Sequence, residues 1–110
     1  RIEFPAAITA VLGEESLPQS FLLEQNHPNP FNSSTSIRFE LSAPSTVELT
    51  VYDLAGQKVS TLVSGFREAG SYSYTWNGLN DGGYAVASGT YVYRLSTPDG
   101  HRQKKLLLLQ

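Results

Sequence analysis

The 110-residue sequence contains no cysteine and no methionine, only one tryptophan, and charged residues at just 16% of the total. Each scarcity removes a class of chemistry. Without cysteine there is no disulfide framework, no thiolate zinc site, no thiol nucleophile and no redox pair. The compartment stays open, because many exported bacterial domains also lack cysteine. The longest leucine run covers residues 106–109, far short of the roughly 18 apolar residues of a membrane-spanning helix. Eight basic against ten acidic residues leave a net charge of −2, so the electrostatic footprint of a nucleic-acid binder is missing and no such partner is expected. Arg1 at the start and the lack of methionine read as a processed or excised piece of a longer chain, which makes the absence of a signal peptide uninformative.

What is present is enough for one core. Hydrophobic residues make up 40% and aromatics 11% of the chain, a globular composition at a length that buries well over half of its unfolded surface. Helical periodicity is nearly absent and alternation at period two recurs, the pattern of a half-buried strand. Ile37, Phe39 and Leu41 alternate with polar neighbours, as do Val47, Leu49 and Val51. Ala43-Pro44-Ser45 between them is a turn signal, so the pair reads as a hairpin. A strand over residues 59–63 extends this meander after Ala55-Gly56-Gln57, where Gly56 can take the positive φ of a tight connection. Tyr72, Tyr74 and Trp76 form one aromatic strand, and Tyr91, Tyr93 and Leu95 another. Thr97-Pro98-Asp99-Gly100 reads as a type I turn before a last strand over residues 101–109. With a short strand near residues 21–25 the count is about seven, which points to an all-β, antiparallel, immunoglobulin-like β-sandwich. The expected core is Ile37, Phe39, Leu41, Val47, Leu49, Val51, Tyr72, Tyr74, Trp76, Tyr91, Tyr93 and Leu95. Residues 1–20 differ: Pro5, the polar run Gly13-Glu14-Glu15-Ser16 and Pro18 suit a linker or the tail of a preceding domain, with the boundary near Ser20 and the folded domain over 21–110.

Catalytic motifs are lacking. His27 and His101 are the only imidazoles, and no serine sits in a Gly-x-Ser-x-Gly context, so the domain is not expected to be an enzyme and the histidines are expected to be solvated. Asn77, Asn80 and Asp81 in the Gly-rich loop offer oxygen ligands for Ca²⁺, but the spacing is not that of an EF-hand; side-chain-stabilised turns explain the residues better, and no cofactor or metal is expected. Tyr72, Tyr74, Trp76, Tyr84, Tyr91 and Tyr93 admit a sugar-binding platform, yet their alternation favours a core. Asn32-Ser33-Ser34 matches a glycosylation sequon by a pattern prone to coincidence. Lys104-Lys105 beside four leucines is either a recognition element or an edge that deters aggregation.

The segment Leu23-Glu24-Gln25-Asn26-His27-Pro28-Asn29-Pro30-Phe31-Asn32, followed by Ser34-Thr35-Ser36-Ile37-Arg38-Phe39, resembles the opening of the carboxy-terminal sorting domains (type A) of the type IX secretion system of Bacteroidetes and related bacteria. Similar patterns follow in order: Val51-Tyr52-Asp53-Leu54-Ala55-Gly56-Gln57-Lys58-Val59, then Gly70, Trp76-Asn77-Gly78 with Asp81, Ala87-Ser88-Gly89-Thr90-Tyr91-Val92-Tyr93-Arg94-Leu95, and Lys105 leading into the leucines. The related immunoglobulin-like domain of the flagellar hook-capping protein shares the later pattern; the Asn-Pro opening and the terminal Lys with its apolar strand favour the sorting domain. Departures are small: Ser33 stands where Pro is frequent and His27 where Tyr is frequent.

The resemblance implies a seven-stranded sandwich that ends a secreted protein, reaches the cell surface or medium through the periplasm, and is commonly removed by a sortase-like surface protease. Its implied partners are the outer-membrane secretion machinery, that protease and the cargo domains of the parent chain. Carried over by position, the signal residues are Pro28, Asn29 and Pro30 in the opening, Gly56 in the meander, Gly89 and Tyr91 in the penultimate strand, and Lys105 in the last. Physics adds a reading of its own: Pro28 and Pro30 lack N–H groups, so this segment can cross between sheets without leaving donors unpaired. The alternative function is a structural or carbohydrate-binding accessory module of a multidomain cell-surface enzyme.

If a mature cargo is released by cleavage, the cut is expected between Gly13 and Phe21, where polar loop backbone is accessible to a protease. Mass spectrometry of the secreted parent checks this; a cut inside the sandwich overturns the boundary.

Overall fold

Runs of period-two alternation fold as strands because each carries one apolar face that must leave water. The computed structural model describes residues 21–110; the linker expected over residues 1–20, and the cleavage expected there, lie outside the described residues. Seven strands follow in order: β1 (Phe21–Leu23), β2 (Thr35–Leu41), β3 (Ser45–Tyr52), β4 (Lys58–Arg67), β5 (Gly70–Trp76), β6 (Gly89–Thr97) and β7 (Gly100–Leu108). They form two antiparallel sheets, β1-β2-β5 and β4-β3-β6-β7. The expected immunoglobulin-like sandwich is the observed fold. Among the described residues no helix is long and apolar enough to cross a membrane.

The inner faces meet in one core. Ile37 and Phe39 of β2, Leu49 and Val51 of β3, and Tyr93 and Leu95 of β6 are fully buried, with Trp76, Leu106 and Leu108 close behind. Phe21, Leu23, Phe31, Val63, Leu106 and Leu108 also belong to this core, beyond the residues expected. Tyr72 and Tyr74 are a correction: they are half-buried rather than core. Both stack on Phe39, with ring centroids 5.4 and 5.9 Å away, but β5 is an edge strand and leaves one side of each ring uncovered. Their hydroxyls reach the rim, where Tyr72 donates to the Glu68 carbonyl and Tyr74 accepts from Arg67 Nε.

A second correction concerns pairing. The expected β2–β3 hairpin does not form, because β2 lies between β1 and β5 while β3 lies between β4 and β6 in the other sheet. The Ala43-Pro44 turn therefore carries the chain across the core. Each strand gains two hydrogen-bonded neighbours this way, and their apolar faces, which alternation identified, pack against each other instead of lying side by side. The β3–β4 pairing holds, with β4 longer than expected and the register shifting between Leu49 and Thr50 and again between Val51 and Tyr52. The β6–β7 hairpin turns at Pro98 and Asp99, with Thr97 opposite Gly100.

Trp76 links the layers. It is 1% exposed, contacts Phe31 and Tyr91 edge-on at 5.7 and 5.5 Å, and donates its indole N–H to the Leu79 carbonyl at 2.9 Å. Trp76→Ala is expected to destabilise the domain by about 3–5 kcal/mol. Equilibrium denaturation checks this, and an unchanged midpoint contradicts the core assignment.

Candidate functional site

Strand register brings the sequence-predicted signal residues to one pole of the sandwich. Gly89 lies opposite Leu108, Tyr91 opposite Leu106 and Val92 opposite Lys105 across β6 and β7. Val92 in turn faces Tyr52 of β3, which faces Lys58 of β4. The start of β6, the end of β7 and the β3–β4 turn holding Gly56 thus share one end of the molecule.

The segment with Pro28, Asn29 and Pro30 reaches this same end by changing sheets. Glu24 N–H still donates to Arg38 O, and His27 exchanges backbone bonds of 2.9 and 2.8 Å with Ser36, so the chain begins beside β2. By Phe31 it lies against β7: Phe31 N–H donates to Leu107 O at 3.0 Å and Leu109 N–H donates to Phe31 O at 2.8 Å, a parallel bridge. Pro28 and Pro30, both preceded by cis peptide bonds, bring no N–H to the crossing, as their chemistry led us to expect. Between them the Asn29 side chain turns to an amide of β7. Its Oδ1 takes the Leu107 N–H at 2.9 Å.

A buried polar network fixes the crossing from inside. The Tyr93 hydroxyl, on a fully buried side chain, accepts from Asn26 N–H at 2.8 Å and donates to Glu24 O at 2.7 Å. Asn26 Nδ2 donates to Thr35 Oγ1 and to Pro28 O, and Thr35 Oγ1 donates to Pro28 O at 2.7 Å. Gln25 Nε2 donates to the Lys105 carbonyl at 2.8 Å. Polar atoms taken from water at the core boundary are thereby matched to partners. Burial pushes the Tyr93 phenol up to about 12, against the opposing pull of the Asn26 bond. Tyr91 is raised in the same direction, first by burial and then by the Asp53 carboxylate.

The other signal positions also have structural tasks. Gly56 has φ +86° in a turn where Asp53 Oδ1 accepts from the N–H groups of Ala55 and Gln57, both at 2.9 Å. Gly89 has φ +151°, and a Cβ at either glycine would meet no atom within 4 Å, so backbone conformation rather than space requires them. Tyr91 donates its hydroxyl to Ala87 O at 2.5 Å, which pairs the polar end of this buried ring. Lys105 is different. Its side chain is exposed, and its ammonium has no hydrogen-bond or ion-pair partner among the described residues. On the same strand, Leu106 and Leu108 are buried while Leu109 is 49% exposed.

Gln25, Asn26, Phe31, Thr35 and Tyr93 complete the site, and sequence reading did not assign them to it. A weak signal existed in Tyr93, a phenol on a core-facing position that needs a polar partner. His27 and His101 are not brought together: the first lies beside Ser36 and the second opposite Ser96 near the other pole. In the Gly-rich loop Asn80 Oδ1 stabilises a turn by accepting from Gly82 and Tyr84 N–H, and Asp81 Oδ1 ties the loop to β4 by accepting from Thr61 N–H.

Comparison with known proteins agrees with this architecture. The family model described as the FlgD Ig-like domain matches residues 26–100. Dimeric latent PorU from Porphyromonas gingivalis is similar over 89% of this chain, with TM-score 0.67 and 19% identity. PorZ, a surface component of the type-IX secretion system of the same organism, is similar over 78%, with TM-score 0.55 and 19% identity. FlgD from P. aeruginosa is similar over 67%, with TM-score 0.52 and 30% identity. The chain spans 10% of that PorU chain, 11% of the PorZ chain and 58% of the FlgD chain. No curated protein matches it in sequence.

The Tyr93 shift has a signed consequence. A phenol raised in the folded state contributes stability that is fully present below its unfolded value near 10 and is lost as pH rises to about 12. Tyrosinate absorbance during alkaline titration is expected to show Tyr93 ionising late and together with unfolding. A Tyr93→Phe variant removes that late step; a wild-type titration complete near pH 10 without unfolding contradicts the assignment.

Proposed function

The chain belongs to the FlgD Ig-like domain family, and from that footing we propose that it is a sorting domain that directs a parent protein across the outer membrane to the cell surface or medium. The observation that carries this reading is the joining of the Pro28-Asn29-Pro30 segment to the terminal strand beside an exposed, unpaired Lys105 ammonium. The Pro28-Asn29-Pro30 segment lies just inside the start of the span matched by the family model, residues 26–100, and β7 runs beyond its end. They are also the parts in which the sequence resembles sorting domains. Similarity in fold to a surface component of the type-IX secretion system supports the same direction.

In this reading the domain performs no chemistry. Pro28, Asn29, Pro30, Gly56, Gly89 and Tyr91 act by holding the shape of the pole, and Lys105 acts by direct contact with the outer-membrane export machinery. A sortase-like surface protease and the cargo domains of the parent chain are the further partners, with the route passing through the periplasm. The accessory-module alternative needs a ligand surface, and its sugar-binding form finds little support: Trp76, Tyr91 and Tyr93 are buried, and Tyr84, at 73% exposure, stands apart from them on the Gly-rich loop.

The test is a foreign cargo fused to the full 110-residue chain in a host with the secretion system. Wild-type fusion is expected to be exported, and failure of export rejects the sorting reading. Lys105→Ala is expected to lower export while changing stability by no more than about 0.5 kcal/mol, as for other exposed side chains. Export of that folded variant at the wild-type rate reduces Lys105 to a solubilising edge residue.

A further inference from the structure

The outer face of the four-stranded sheet carries a depression of about 200 Å3 between the β3–β4 turn and strands β6 and β7. Tyr52, Leu54, Gly56, Val92, Arg94 and Gln103 line it, together with Asp53. We propose that this depression binds an extended acidic segment of a partner protein, placing one carboxylate on the Arg94 guanidinium and a second, two residues along, on the Lys105 ammonium.

Arg94 is held ready for such a contact. Its Nε donates to Gln103 Oε1 at 3.1 Å, and its guanidinium carbon lies 5.1 Å from the centre of the Tyr52 ring. The terminal amino groups make no hydrogen bond among the described residues. A planar fork fixed at its base, with free ends, is the geometry that takes a carboxylate through two parallel bonds.

Spacing supplies the second contact. Arg94 faces Gln103, and Lys105 lies two residues further along β7 on the same face, a diagonal of roughly 7–8 Å. Side chains two apart on an extended segment are separated by roughly 6.6 Å. Alternate carboxylates on such a segment therefore match the two cations, both of which lack an acidic partner of their own.

Neighbouring groups are compatible with an acidic occupant. Asp53 is the acid in the lining, and its Oδ1 is committed to the Ala55 and Gln57 amides. Glu48, on the same face, is paired with Lys58 at 3.5 Å and accepts from Thr50 at 3.1 Å. Leu54, 67% exposed, adds an apolar prong at the rim, while Gly56 leaves open space beside it. The site thus calls for carboxylates at alternate positions of the segment, all on the face turned toward the sheet.

The test uses the purified 110-residue protein and two fluorescein-labelled peptides, one alternating Glu and Val and the other alternating Lys and Val, followed by anisotropy. The Glu/Val peptide is expected to bind, with affinity falling as salt rises, and the Lys/Val peptide is expected not to bind. Arg94→Gln is expected to weaken binding by at least about tenfold. If that variant melts lower than wild type, Leu54→Glu decides instead, because it places a like charge at the rim on a side chain the fold does not need. Absence of Glu/Val binding, equal binding of the two peptides, or wild-type affinity in the deciding variant overturns the proposal. Cargo export tests the sorting reading separately, so either can fail without the other.

Discussion

An outermost strand leaves one row of N–H and C=O groups without a neighbour, and these must find partners or remain a template for uncontrolled pairing. β7 is such a strand. Its carboxy-terminal half is covered by the chain's own crossing segment: Gln25 takes the Lys105 carbonyl, Asn29 the Leu107 N–H, and Phe31 both Leu107 O and Leu109 N–H. Much of the site follows from this covering. The segment must leave β1's sheet to reach β7, must cross without stranded donors, and must be anchored where it lands. Prolines meet the second requirement and the buried Phe31 ring the third, while the Tyr93 hydroxyl holds the chain at Glu24 and Asn26, where it departs.

Chain path and surface shape are consequently coupled at this pole. A change at Asn29 or Tyr93 alters the surface of the pole because it alters the path of the chain beneath it. Lys105 is separable from this coupling, since its backbone carbonyl is part of the covering while its ammonium extends into solvent. Arg94 is separable in a weaker sense. It rests on Tyr52 and Gln103, surface residues outside the buried network, so its charge can be removed without opening the core.

The aromatic residues divide along the same line. Phe31, Trp76 and Tyr91 form an edge-to-face chain within the pole and join the crossing segment to both sheets by dispersion and burial. Tyr52, by contrast, faces outward on β3 beneath a guanidinium. Inner and outer faces of one four-stranded sheet therefore carry different work, as the alternation of side chains along each strand permits.

Sequence alone determined the strands, their apolar faces and several turns, because these depend on neighbours a few residues apart. Ile37, Phe39 and Leu41 declare a buried face wherever their partner lies; Gly56 declares a positive φ, and Pro98-Asp99 a reversal. Tertiary structure decided which strands pair, since period two assigns a side chain to a face and is silent about the neighbour across the ladder. Thus β2 pairs with β5 rather than β3, and Tyr72 and Tyr74 sit half-exposed because β5 is an edge. The contact of Asn29 with Leu107 spans 78 residues, and no local pattern encodes it. It exists because folding brings the unpaired side of the last strand to the place where an early segment lacks donors and needs an anchor.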